Sequence, residues 1–271
     1  SGENEERIIE IEIERLRPFK EHLFQVKDDK EMFLLQESIE KYSILNPLIV
    51  RPVPDGYYEI ISGHRRKHAA EKLGYRKVPV IIRVLSEDDS ILSMVDSNLH
   101  RERISYSEKA FAYKLKNDVL KRKSGRKKSQ VDYKKPRKRS IDIISENCGD
   151  SPKQVQRYIS LTKLIPEMLQ KLDDEIISFC PAVEIAALKE NEQRELLKAM
   201  DYAQAIPSLS QAQRIKQLSK EKQLSLEKME EIMELCPDIS KVTVERILTN
   251  LVKSGYIAKV GAGLSTGYVR I

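Results

Sequence analysis

Strand-type sequence is confined almost entirely to the first third of the chain, and that confinement limits the fold more than any other feature. Residues 8–17, "IIEIEIERLR", alternate apolar and charged side chains, the period of a half-buried strand. "PLIVRPV", "YYEIIS" and "VPVIIRVL" are short β-branched runs and predict three more strands. Between the last two, "RRKHAAEKLGY" predicts a helix closed by Gly74. Upstream, "EMFLLQESIEKYS" predicts an amphipathic helix with Met32, Leu35 and Ile39 along one side. From Ser86 onward the strand signals nearly vanish. "SEDDSILSMVDSNLHRE" and "SYSEKAFAYKLKNDVLKRK" predict helices, each opening on Ser with an acidic residue near the first turn. Strands return only in "YIAKVG" and "GYVRI", at the end. The expected fold class is α+β. A small mixed domain takes residues 1–103, a mostly helical domain 104–205, a polar helical connector 206–226 and a final module 227–271.

A chain of 271 residues suits two or three domains. Charged residues make up 33% and aromatics 6%, a solvated and helix-rich balance, while 40% hydrophobic residues still build cores. No stretch approaches about 18 uninterrupted apolar residues, and the acidic start "SGENEERIIEIEIERL" lacks the apolar core of a signal peptide. Cys148, Cys180 and Cys236 are scattered without a CxxC pair, so neither a disulfide framework nor a zinc site is expected. These features predict a cytoplasmic protein with no membrane partner.

The net charge of +6 is unevenly distributed. Residues 120–139 hold eleven Lys or Arg against Asp132 alone, so the rest of the chain is mildly acidic. Gly125 and Pro136 are expected to break any helix there. Two readings fit: a loop that contacts phosphates, through Lys127, Lys128, Lys134 and Lys135, or a solvated linker.

Gly63 ends a strand and precedes a helix in "YYEIISGHRRKHAAEKLGY". Free amides at such a junction form an anion site, and Arg65 and Arg66 add fork-shaped donors. A polyphosphate fits this description; surface arginines beside a plain turn also fit. No GxxxxGK[ST] loop is present.

The blocks "LNPLIVRP", "YEIISGHRRKHAAEKLGYRKVPVIIR" and "SNLHRERISYSEKAFAY", in this order, resemble the N-terminal domain of ParB-type (ParB/RepB-like) chromosome and plasmid partition proteins. The family pattern is roughly QPIxVR, then YxIxxGERRxxAAxxxG with VPxxxR, then ENxxR with LxxxE. The resemblance extends over about residues 8–200. It implies a CTP-binding, DNA-binding clamp that loads at a centromere-like site on double-stranded DNA, with CTP and Mg2+ as cofactors. By resemblance, Asn46 and Pro47 contact the cytosine base. Gly63, His64, Arg65 and Arg66 hold the triphosphate. Asn98 and Arg101 lie near the phosphates, with Asn98 at the metal. A bacterial homodimer, nucleoid- or plasmid-associated, and a ParA-type ATPase partner are also implied.

Two positions depart from the pattern. His64 replaces the acidic residue of GERR, and Ser97 replaces the Glu of ENxxR. Serine is a poor ligand for a hard cation. Asp96 is adjacent but turned about 100° around a helix, so nucleotide binding is expected ahead of hydrolysis, and a weak CTPase is the most enzymatic outcome. The fold is shared with sulfiredoxins, whose comparable loop carries a reactive Cys. Residues 1–147 contain none, which excludes that chemistry.

"RSIDIISENCGDSPKQVQRYISLTKLIPEML" has the order of a helix-turn-helix. A short helix carries Ile141, Ile143 and Ile144, and "NCGD" makes the turn. Ser151 caps a second helix with Pro152 at its first position. Val155, Tyr158 and Ile159 are expected inside. Ser151, Lys153, Gln154, Gln156 and Arg157 are then candidate DNA contacts, with amide and Arg groups suited to major-groove edges. An ordinary helical hairpin is the alternative.

Residues 227–271 depart from the family and resemble a winged helix, with Lys241, Thr243 and Arg246 as a second candidate DNA contact. A protein-interaction module fits equally well. The expected function is a CTP-switched, site-specific DNA-binding protein acting in partition or in regulation of a mobile element. The alternative is a nuclease or nucleotide-dependent enzyme on the ParB/sulfiredoxin-like fold. His64, His68 and His100 come without an evident carboxylate set for that chemistry.

Overall fold

Ile11 and Ile13 keep the alternation of the first strand, and Leu16 follows three positions later rather than two; all three are buried. The computed structural model shows why. It describes residues 7–20, 24, 26–99, 104–126, 138–234, 248–260 and 267–270. The expected single strand over 8–17 is two strands, β1 (Ile8–Glu12) and β2 (Leu16–Pro18), separated by a 3-10 turn at Ile13–Arg15. The turn resets the phase so that Leu16 again points inward.

β1 and β2 lie at opposite edges of one five-stranded sheet. With β3 (Leu48–Pro52), β4 (Tyr58–Ser62) and β5 (Lys77–Ile82), the order is β1-β5-β3-β4-β2. β1 pairs antiparallel with β5, β5 parallel with β3, β3 antiparallel with β4, and β4 parallel with β2. In a flat sheet the two edges would lie about 19 Å apart. The chain from Glu12 to Leu16 spans about 13 Å at most. The sheet therefore curls into a half-barrel.

Inside the curl lie Leu48, Val50, Ile60, Val78 and Val80. Helix α1 (Lys30–Tyr42) adds Met32 and Ile39, and α2 (His64–Lys72) adds Ala69 and Ala70, whose small side chains let it approach closely. Ile61 points the other way, into a second core with Ile91, Met94 and Val95 of α3 (Glu87–Leu99) and Ala112 and Val119 of α4 (Tyr106–Arg126). Each of the larger side chains here, the Val, Leu, Ile and Met, contributes about 1.5–3 kcal/mol when fully buried. Ser86 and Ser105 cap α3 and α4, accepting from Asp89 N at 3.1 Å and Glu108 N at 3.2 Å, as the two Ser-led openings predicted. α4 continues through Gly125 to Arg126, against the expected break. One Gly near a helix end costs about 1 kcal/mol, which a long, well-packed helix absorbs. A third core joins Tyr113 of α4 to Ile144 of α5 (Ser140–Cys148) and Val155 of α6 (Pro152–Leu161).

The chain divides into two compact units, Ser1–Thr162 and Lys163–Ile271. The second contains α7 (Pro166–Asp173), α8 (Phe179–Ile185), α9 (Glu190–Ala203), α10 (Leu209–Lys220) and α11 (Leu226–Glu234). Buried Gln193 ties it together: its oxygen accepts from Ile165 N at 2.9 Å, and its nitrogen donates to the carbonyls of Lys163 and Leu188. The segment expected as a connector holds α10, which buries Ala212 and Ile215. Strands β6 (Ile257–Val260) and β7 (Gly267–Arg270) form the expected C-terminal antiparallel hairpin. Among the described residues no helix is long and apolar enough to cross a membrane.

Candidate functional site

Gly63 joins β4 to α2 with φ 108° and ψ 18°, in the left-handed region. A Cβ here would stand 2.8 Å from Leu48 Cγ and 3.3 Å from Arg66 Nη2, so both conformation and space demand glycine. No side chain caps α2, and its ladder opens where Lys67 N donates to the Gly63 carbonyl at 3.0 Å. The amides of His64, Arg65 and Arg66 precede that ladder, the arrangement that receives an anion. The His64 ring is buried.

The two arginines have different surroundings. Arg65 Nη2 donates to Asp29 Oδ1 at 2.9 Å, and its Nη1 lies 3.5 Å from Glu31. Asp29 also caps α1 by accepting from Met32 N at 2.8 Å. The Met32 amide, with the charge of Arg65 behind it, holds the Asp29 carboxyl below the usual range. Nearby, Lys72 and His68 lie 2.6 and 3.0 Å from Asp28, and their hydrogen bonds lower that carboxyl too. Arg66 instead meets backbone. Its Nη1 donates to the carbonyls of Asn46 and of Pro47, the latter at 2.8 Å. Burial pushes its guanidinium pKa down. The second family block is thereby tied to the first: Asn46 and Pro47 adjoin the Gly63 junction through Arg66.

The described residues of the third block are turned to other partners. Asp96 is 2.5 Å from Lys116, a lysine only 2% exposed. The Ser97 hydroxyl donates to the Met94 carbonyl at 2.9 Å. Asn98 is buried, and its amide donates to the same carbonyl at 2.8 Å. Among the described residues no group of three or more His, Cys, Asp and Glu could hold a metal. Arg101 lies outside the described residues.

The helix-turn-helix forms as its punctuation predicts. Gly149 closes α5 at φ 75°, Ser151 accepts from Gln154 N at 3.2 Å, and Pro152 opens α6. Val155 is buried; Tyr158 and Ile159 are half-buried against the same core. Lys153 and Gln156 are exposed; Gln154 and Arg157 are half-buried, and Arg157 Nη1 donates to Gln154 Oε1 at 3.2 Å. Ser151 acts here as a cap. Asp150, in the turn, accepts from Tyr113 Oη at 2.6 Å and from Lys109 at 2.8 Å. Lys109 also lies over the Tyr158 ring, 4.6 Å from its centre. Burial alone would raise the Asp150 carboxyl, but the bonds from Lys109 and Tyr113 outweigh it and hold the pKa low.

The basic segment is less bare than its sequence suggested. Arg122 pairs with Asp88 at 3.1 Å, Lys123 with Asp89, Lys138 with Glu146 at 2.6 Å and Arg139 with Asp142 at 3.0 Å. Lys127, Lys128, Lys134 and Lys135 lie outside the described residues, as do Lys241, Thr243 and Arg246.

Residues 1–99 match the family model for the ParB N-terminal domain. This part of the chain is a ParB N-terminal domain. A nucleoid occlusion protein of Lysinibacillus sphaericus is 25% identical over 266 residues, covering 94% of this chain and 82% of the relative. That of Bacillus mycoides is 35% identical over 136 residues; the match spans 48% of this chain and 47% of the relative, about half of each. ParB from Caulobacter crescentus, solved complexed to the centromeric parS site, aligns with 84% of this chain and 100% of its own at 23% identity and TM-score 0.46. Complexed with CTP-gamma-S, it aligns with 67% and 92% at 26% identity and TM-score 0.33.

Within the ParB N-terminal domain the sequence reading missed the carboxylates facing Arg65. "VKDDKE" before α1 carries the signal of a helix cap, which singles out Asp29. Nothing local marks it as the partner of an arginine 36 residues on. Lys116 was equally hidden, since lysine is seldom fully buried.

Proposed function

We propose that this chain is a CTP-switched, site-specific DNA-binding protein of the ParB type, acting in partition or in regulation of a mobile element. One observation carries the proposal. The same compact unit holds the uncapped Gly63 junction in a ParB N-terminal domain and a capped helix that carries Gln154 and Arg157, with Lys153 and Gln156 exposed beside them. In this reading the amides after Gly63 and the Arg65 guanidinium take the phosphates, while Asn46 and Pro47 face the base. Gln154 and Arg157 read base edges, and Lys127, Lys128, Lys134 and Lys135 neutralise DNA phosphates. Bound CTP supplies the signal that alters DNA engagement. A centromere-like site, a homodimer and a ParA-type ATPase belong to the same reading. No step is assigned to Mg2+, because Asp96, Ser97 and Asn98 are turned to other partners.

The test is fluorescence anisotropy on a site selected from random DNA, with and without CTP. The proposal requires CTP to change affinity or lifetime on that site. CTP binding without any effect on DNA would overturn it. Metal-dependent nicking of plasmid DNA would favour the enzymatic alternative.

A further inference from the structure

We infer that Arg66 is a positioning residue for base discrimination rather than a phosphate ligand, because its guanidinium fastens the backbone at Asn46 and Pro47. This rests on the nucleotide reading above and refines it. The stretch Ser43–Pro47 runs between α1 and β3 without regular structure of its own. Ile44 anchors one end in the core, while Leu45 is 76% exposed. At the other end Arg66 Nη1 donates to two successive carbonyls. The side chain reaches them by passing Gly63, where a Cβ would crowd its Nη2 at 3.3 Å. The two arginines therefore differ in kind. Arg65 faces half-exposed carboxylates, which a phosphate can replace charge for charge. Arg66 faces neutral carbonyls, which a phosphate would have to strip of their donors. Discrimination between bases needs polar groups held within about 0.5 Å, and a loop without its own ladder needs an external brace to meet that demand.

The experiment is calorimetry of CTP, UTP and GTP binding to the full chain, in wild type, Arg65→Ala, Arg66→Lys and Arg66→Ala. Lysine keeps the positive charge but ends one bond short of the guanidinium nitrogens, so it serves a phosphate as a point charge and misses the carbonyls. Arg65→Ala should weaken all three nucleotides alike, by about tenfold to a hundredfold. Arg66→Lys should hold UTP and GTP within about threefold while the preference for CTP falls by about tenfold or more. Combining Arg66→Lys with Asn46→Ala should cost CTP scarcely more than the worse single change, since both act through one loop. Melting temperatures of all variants guard against unfolding, and Arg66→Lys keeps the test intact if Arg66→Ala does not fold. An equal loss for all three nucleotides in Arg66→Lys, or an unchanged CTP preference, overturns the inference. So does a wild-type chain that binds nucleotides without preferring CTP. A wild-type chain that binds none removes the nucleotide reading itself.

Discussion

Arg65 is held at 2.9 Å by Asp29, so a phosphate arriving at Gly63 meets a carboxylate already in its place. Arg65→Ala is expected to weaken CTP binding about tenfold to a hundredfold. Melting should change little, because a partly exposed ion pair of this kind contributes about 0–1 kcal/mol. Asp29→Asn should do the reverse: asparagine still caps a helix but no longer competes as an anion, so CTP affinity should rise a few-fold by titration calorimetry. The pH sign follows from the lowered Asp29 carboxyl. A depressed pKa keeps the ion pair in place above the usual carboxylate range and releases it only as pH falls through the folded value. Competition with phosphate therefore persists throughout the neutral range. Asp96 is engaged by Lys116 and Ser97 by its own helix, so CTP hydrolysis should be slow or absent in a phosphate-release assay. Brisk turnover would assign the task to a group outside this block. At Gly63, alanine combines a left-handed φ with a 2.8 Å approach to Leu48. Its expected cost is about 1–3 kcal/mol, read as a lower midpoint of denaturation.

α6 joins two kinds of residue that should fail differently. Gln154→Ala or Arg157→Ala should cost about 1–3 kcal/mol on a selected site and little on random DNA. Equal weakening on both DNAs would disqualify this helix as the reader. Asp150→Ala acts from the other side of the turn, by leaving the buried Tyr113 hydroxyl and Lys109 without their acceptor. A stability loss of about 1–3 kcal/mol is expected from denaturant titration. The sequence showed these elements well where a local rule governs them. Ser86, Ser105 and Ser151 cap because a short hydroxyl follows a loop and precedes apolar periodicity. Met32 and Ile39 bury because they share one side of a helix. The break at Ile13–Arg15 escaped, since it is imposed by strands β4 and β5 far along the chain, and nothing in "IIEIEIERLR" interrupts the alternation. The site was legible to the same extent. Gly63 and the arginines are adjacent in sequence, whereas Asp29 opposite Arg65 and the carbonyls opposite Arg66 arrive only through folding.

Across the whole molecule, charge is arranged by pairing as much as by counting. Among the described residues of the basic segment, Arg122, Lys123, Lys138 and Arg139 already have carboxylate partners. Replacing Lys127, Lys128, Lys134 and Lys135 with Ala should weaken selected and random DNA alike. The salt slope should flatten by about 0.9 for each DNA phosphate that is no longer neutralised. The division into two compact units has its own test. Gln193, Ala212 and Ile215 give residues 163–271 an interior, and this fragment alone should keep helical circular dichroism and a cooperative melt. The curled sheet carries a different consequence, one of timing. Residues 8–18 leave the ribosome before the strands they pair with, since β2 waits for Tyr58–Ile60 and β1 for Lys77–Ile81. β1, the earliest strand of this sheet to be made, is closed in only by β5, the latest. During synthesis an uncommitted "IIEIEIERL" must be carried until some seventy further residues have emerged, and the glutamates set between its isoleucines keep it from joining other chains in the meantime.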